Sequence, residues 1–138
     1  MSRPEARIRD GGWHNRRVSE VADLERAVDD ASAAVAADSA NDAGAVARVA
    51  RAGAAALAIY RRFEASPLVR GPRDGTAADR TRVARHDIRA SAQGVLAQLE
   101  LITLAWMSWN ATTRDAMLGE LEAAGVELER TVGDLLGG

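Results

Sequence analysis

The sequence predicts an all-α protein, an antiparallel helical bundle of four main helices. Three observations lead there. Apolar residues recur at spacings of three and four along most of the chain, which is the period of a helix with one buried face. No stretch alternates apolar and polar residues with the two-residue period of a strand. The connections between the periodic stretches are short, which favours up-down-up-down packing of successive helices.

Residues 1–15 are polar and contain Pro4 and the Gly11-Gly12 pair, so they read as a flexible tail. The first helix is expected from about Arg16 to Ala37, with Val18, Val21, Leu24, Val28, Ala31 and Val35 as its apolar stripe. Residues 39–42 form a turn in which Asn41 is a candidate N-cap. The second helix is expected over 42–65, with Val46, Val49, Gly53, Ala56, Tyr60 and Phe63 at heptad-like spacing. The stretch 66–76, SPLVRGPRDGT, carries two prolines and two glycines and reads as a loop. Thr76 and Asp79 then have the spacing of a capping box that opens a third helix over about 77–109. Thr112 and Asp115 repeat that signal ahead of a fourth helix over about 113–136, with Met117, Leu121, Ala124, Leu128, Val132 and Leu135 as its stripe. Residues 16–66 thus form an N-terminal helical hairpin and 77–138 a C-terminal one, joined in one compact domain. Trp106, Trp109, Tyr60 and Phe63 are the expected aromatic anchors of an otherwise light, alanine-rich core.

Composition narrows the chemistry. The chain has 138 residues and no cysteine, so disulfides, thiolate metal sites and cysteine nucleophiles are excluded. All 18 basic residues are arginine, which removes lysine Schiff bases and phosphate-binding loop lysines. The net charge of −2 argues against a nucleic-acid-binding surface. No apolar run reaches the ~18 residues of a membrane span, and the first residues lack the apolar core of a signal peptide. Neither segment raises a membrane expectation, and the cytoplasm is the expected location. Asp29, Asp30, Asp38 and Asp42 lack the loop pattern of a calcium hand. The two histidines, His14 and His86, lie on separate segments, so no metal site is expected. No cofactor is implied.

The most informative stretch is residues 83–101, VARHDIRASAQGVLAQLEL. At ~100° per residue, Ile88, Ala92, Val95, Leu99, Ile102, Trp106 and Trp109 fall along one seam, and His86 lies roughly 160–170° from it. A histidine on the wet face of a helix, next to the carboxylate of Asp87, has the makings of a nucleophile with an orienting acid. Arg82, Arg85 and Arg89 lie within a turn or two of it.

This stretch resembles the H-box of sensor histidine kinases, whose dimerisation and histidine-phosphotransfer (DHp) domain is a helical hairpin. The resemblance is carried by His86, Asp87, Ile88, Arg89 and Leu99-Glu100-Leu101. The C-terminal ELEAAGVELERTVGDLLGG, with Leu128, Val132, Asp134, Leu135 and Leu136, looks like the second helix of that hairpin. The resemblance covers about residues 77–138. It implies that His86 is a phosphoacceptor oriented by Asp87. It implies that Arg82, Arg85 and Arg89 meet phosphate or a partner, and that the partner is a response regulator receiver domain or a separate kinase ATPase domain. The chain departs from the family pattern at Ser91, where a helix-bending proline is common, and at Ala90, where the family's phosphatase residue stands. Nothing after residue 136 resembles the kinase ATP-binding domain, so a self-sufficient kinase is not expected. The alternative is a non-catalytic helical adaptor that docks a response regulator or kinase. The resemblance also points to a homodimer paired through the third-helix seam. Within the chain, helices 1 and 2 instead have the means to cover that seam, and the sequence leaves both arrangements open.

Overall fold

The computed structural model describes residues 4–38, 43–70 and 75–137, with side chains from Glu20 onward except those of residues 70 and 77. Among the described residues there is no strand. Helix α1 (Pro4–Ala36) leads to α2 (Ala43–Glu64), a single turn α3 (Pro67–Arg70), α4 (Gly75–Ala105) with a 3-10 turn at Trp106–Ser108, and α5 (Ala111–Gly137). The four long helices are those read from the apolar periodicity, and the all-α bundle is the fold.

The boundaries differ from expectation where side chains compete for the backbone. The stretch read as a flexible tail is helical from Pro4; proline is tolerated in a first turn, where its missing N–H has no partner to lose. The expected loop contains α3, begun by Pro67 and fastened at both sides. Ser66 Oγ donates to the Phe63 carbonyl at 2.6 Å, and Thr81 Oγ1 donates to the Leu68 carbonyl at 2.7 Å. Thr76 lies inside α4, not before it, and Asp79 is taken by Arg82, so the expected capping box does not form. Helix α4 stops before Trp109, because Ser108 Oγ donates to the Ala105 carbonyl at 2.7 Å and the chain is extended at Trp109. The cap of α5 is Asn110, whose Oδ1 accepts from the Thr113 N–H at 2.8 Å. The expected cap at Thr112 is overtaken by that better placed amide. The candidate cap Asn41 lies outside the described residues.

Each long helix packs against two others: α1 and α5 flank both α2 and α4. Successive long helices run antiparallel. Glu20 meets Tyr60 across α1 and α2, and Ser91 meets Thr131 at 3.0 Å across α4 and α5. The two hairpins lie side by side so that α1 neighbours α4 in parallel: Glu20 faces Arg89, and a turn and more further on Asp30 and Thr103 line one groove. At one crossing Gly53 of α2 admits Val28 of α1. A Cβ on Gly53 would stand 2.6 Å from both Val28 methyls, so this crossing tolerates only hydrogen there.

The seams meet in one core. Ile88, Val95, Leu99 and Ile102 of α4 are fully buried, with Val49, Ala56 and Phe63 of α2 and Leu121, Leu128 and Val132 of α5. Each large side chain so buried contributes roughly 1.5–3 kcal/mol. Tyr60 and Phe63 pack edge to face at 6.4 Å, as do Trp106 and Trp109. The aromatic anchors are as expected, with Trp109 half-buried. Of the two arrangements left open, the chain adopts the one in which α1 and α2 cover the C-terminal hairpin. The α4 seam is therefore filled from within the chain. Among the described residues, α2 is the one helix long and apolar enough to cross a membrane, yet its Ala45, Val49, Gly53, Ala56, Tyr60 and Phe63 are buried in the bundle.

Candidate functional site at His86 and its surroundings

The histidine stands where the helical period places it. The core-facing residues Ile88 and Ala84 flank His86 by two positions on either side, and two residues turn a helix through ~200°. The His86 side chain is accordingly 83% exposed. Its Nδ1 lies 3.6 Å from Asp87 Oδ1. That is just beyond hydrogen-bond reach, and a small side-chain rotation closes it. With Nδ1 toward the carboxylate, Nε2 is the ring nitrogen left to act on a partner.

The three arginines do not gather round this ring. Arg82, exposed, forms an ion pair with Asp79 one turn back. Arg85 is buried: its Nη1 donates to Glu64 Oε1 at 3.1 Å and its guanidinium lies 5.7 Å from the centre of the Phe63 ring. Arg89 turns to α1, with Nε 2.6 Å from Glu20 Oε1. Arg85 and Arg89, read from the sequence as phosphate or partner contacts beside His86, join α4 to its neighbours through Glu64 and Glu20. The physical reason is their place on the wheel. The three-four run of the α4 seam continues backward from Ile88 to Arg85 and Thr81, both buried. That backward continuation was the signal in the sequence. The acids that receive Arg85 and Arg89 lie on other helices and carried no signal at all.

Glu20 serves two helices at once. Besides Arg89 it accepts the Tyr60 hydroxyl. Burial, and then the neighbouring Glu20 carboxylate, push the Tyr60 phenol well above its ordinary range. The far end of the bundle holds a second polar group that sequence reading missed. Arg48 of α2 makes a two-pronged bond to Glu122, at 2.6 and 3.0 Å, and reaches Asp115 at 2.7 Å. The hydrogen bonds from Arg48 hold the Glu122 carboxyl below its usual range, and Glu122 and Asp115 in turn raise Arg48. Nearby, Arg114 pairs with Asp38, donates from Nε to the Trp106 carbonyl at 3.0 Å and covers the Trp106 ring at 4.6 Å. Asp38, Arg48, Trp106, Arg114 and Asp115 border a cleft of about 420 Å³. Both cations in it already face carboxylates, so the cleft has no surplus positive charge for an anion.

Among the described residues, no three His, Asp or Glu side chains converge as metal ligands would. The His14 side chain lies outside the described residues. What the arrangement offers is one exposed imidazole, with an adjacent carboxylate, on a helix held rigid from both flanks. No family model, no curated protein and no solved structure matches this chain.

Proposed function

We propose that the chain is a DHp-like helical module of two-component signalling in the cytoplasm, with His86 as phosphoacceptor. The observation that carries this reading is the exposed His86 ring with Asp87 at its Nδ1 side. In the reaction, His86 Nε2 attacks the phosphorus of an aspartyl phosphate on a receiver domain. The N–P bond forms as the P–O bond to the aspartate breaks. The receiver carboxylate leaves with the electron pair, and Asp87 stabilises the positive charge left on the ring. A separate kinase ATPase domain is the other donor class, with ADP as the leaving group.

The second reading, a non-catalytic adaptor that docks a response regulator or kinase, is favoured by one observation. Arg85 and Arg89 are committed to Glu64 and Glu20 and are not free to neutralise a phosphoryl group. One experiment separates the two. Wild type, His86→Gln and Asp87→Asn are mixed with a receiver carrying labelled phosphate. Phosphotransfer requires acid-labile label on wild type, less on Asp87→Asn and none on His86→Gln. Equal labelling of wild type and His86→Gln removes His86 as acceptor. Stable binding of the receiver without label transfer supports the adaptor.

A further inference from the structure

Helices α1 and α4 run side by side, and a groove of about 400 Å³ opens between them on the bundle surface. Ala27 and Leu96 give it an apolar floor, and Leu104, 85% exposed, forms one edge. Leu101 and Met107 continue the exposed apolar surface at this end of α4. The sequence from Ala90 to Trp109 holds a single ionisable side chain, Glu100. A solvated helix face is ordinarily charged or polar. An apolar floor open to water and rimmed by charge is the mark of an interaction surface.

The rim is acidic on both banks. Glu100 stands on the α4 side, and Asp23 and Asp30 stand on the α1 side. Arg26 is the one cation in the lining. It lies 3.9 Å from Asp23 in an exposed pair, which holds little energy. Among the described residues no ion pair joins Asp30 or Glu100 to a cation. At one end of the groove Arg89 is already matched by Glu20. The charges just outside are of the same sign. Asp29 is exposed beside Asp30, and exposed Glu120 lies one turn from Met117, which meets Gln98 of α4. Three carboxylates against one guanidinium leave the groove with a surplus of two negative charges, as large as the net charge of the whole chain. The acidity is therefore local to this groove.

We propose that the groove docks a basic amphipathic helix of a partner protein. The valley between two packed helices receives the ridge of a third. An extended peptide gains less here, because the backbone groups of α1 and α4 are bonded within their own helices and offer no edge to extend. A bare metal ion does not fit, since among the described residues no three carboxylates converge. From Asp23 to Asp30 the groove is about 11 Å long, or two helical turns. The partner's apolar side chains, spaced by three and four, rest on Leu96 and Leu104. Arginine or lysine on either flank of that stripe meets Glu100 on one bank and Asp23 and Asp30 on the other. The docking does not depend on phosphotransfer at His86, which lies about 21 Å along α4 from Glu100.

A fluorescein-labelled peptide of leucine, alanine and arginine, with its leucines spaced by three and four, serves as the probe. Its anisotropy is followed against the full chain from about 1 to 500 μM, because so short a contact gives modest affinity. Binding is expected to saturate, to weaken with salt and to be at least about tenfold tighter than for a peptide of the same composition in scrambled order. Glu100→Arg and Asp30→Arg should each weaken it about threefold or more, and Leu104→Ser about fivefold. All three side chains are exposed, so helical CD and Tm should stay unchanged and the variants remain readable. Glu129, exposed on α5 in line with Glu122 and so on its α2 side, is the control, and Glu129→Arg should leave affinity within about twofold. Absence of saturable binding overturns the proposal, as does equal binding of the scrambled peptide. Equal losses from Glu129→Arg and Glu100→Arg would reduce the effect to general attraction and overturn it too. Sedimentation of the chain alone that shows a dimer broken by Leu104→Ser would give the face to a second copy and overturn the choice of partner.

Discussion

Replacing Gly53 with alanine tests the closest helix crossing in the bundle. The new Cβ would stand 2.6 Å from both Cγ atoms of Val28, where carbon–carbon contacts settle near ~3.5–4.0 Å. Val28 is unable to clear the space by rotating, because a valine has two methyls and is stiff in a helix; turning one away leaves the other in place. Helices α1 and α2 must therefore part by about 1 Å. Overpacking of this kind costs about 1–3 kcal/mol, and two simultaneous contacts place it at the upper end. Better helix propensity returns about 1 kcal/mol, leaving a net loss of about 1–2 kcal/mol. Gly119→Ala is the control, because the same added methyl there meets nothing within 4 Å and should gain about 0.5–1 kcal/mol. Thermal and urea unfolding followed by CD at 222 nm should separate the two variants by roughly 5–15 °C in Tm, at about 3–5 °C per kcal/mol for a chain of this size. Val28→Ala should rescue Gly53→Ala, so that the double variant is more stable than the sum of the singles. If Gly53→Ala stabilises the protein as much as Gly119→Ala, the close packing of α1 on α2 is wrong.

Two further outcomes follow from the polar contacts. Tyr60 is the single tyrosine, and the chain has no lysine or cysteine, so Tyr60 is the one side chain whose ordinary pKa falls between about 9 and 12. Its phenol is raised in the folded state, so the folded protein holds the proton that the unfolded chain releases near its ordinary value of 10. Stability should therefore fall as pH climbs past 10, by up to about 1.4 kcal/mol per unit. Tyr60→Phe should remove that slope, and phenolate absorbance appearing in wild type before unfolding would contradict the burial. Arg114→Met should lower stability by about 2–3 kcal/mol in urea, because Asp38, 8% exposed, loses its guanidinium and the Trp106 carbonyl loses a donor. A change within about 0.5 kcal/mol would show that this group does not hold α5 to the end of α1.

The sequence by itself determined the class, the four long helices and which face of each is buried. Periodicity is a local property, and a seam such as Ile88, Val95, Leu99 and Ile102 must be covered by something whatever the topology. It determined that His86 faces water, because a residue two positions from Ala84 and from Ile88 lies opposite the core. Caps were harder to read: Asn110 and Ser108 compete with Thr112 and Trp109 for the same few backbone groups, and only geometry decides between them. What covers each seam was beyond the sequence. Tertiary structure decided that α1 and α2 close the bundle within one chain, that Gly53 is the seat of Val28, and that Arg85 and Arg89 turn away from His86. The reason is the same in each case. An ion pair such as Arg89 with Glu20 or Arg48 with Glu122 joins residues 69 or 74 positions apart, and no local pattern records which distant acid a given arginine will meet.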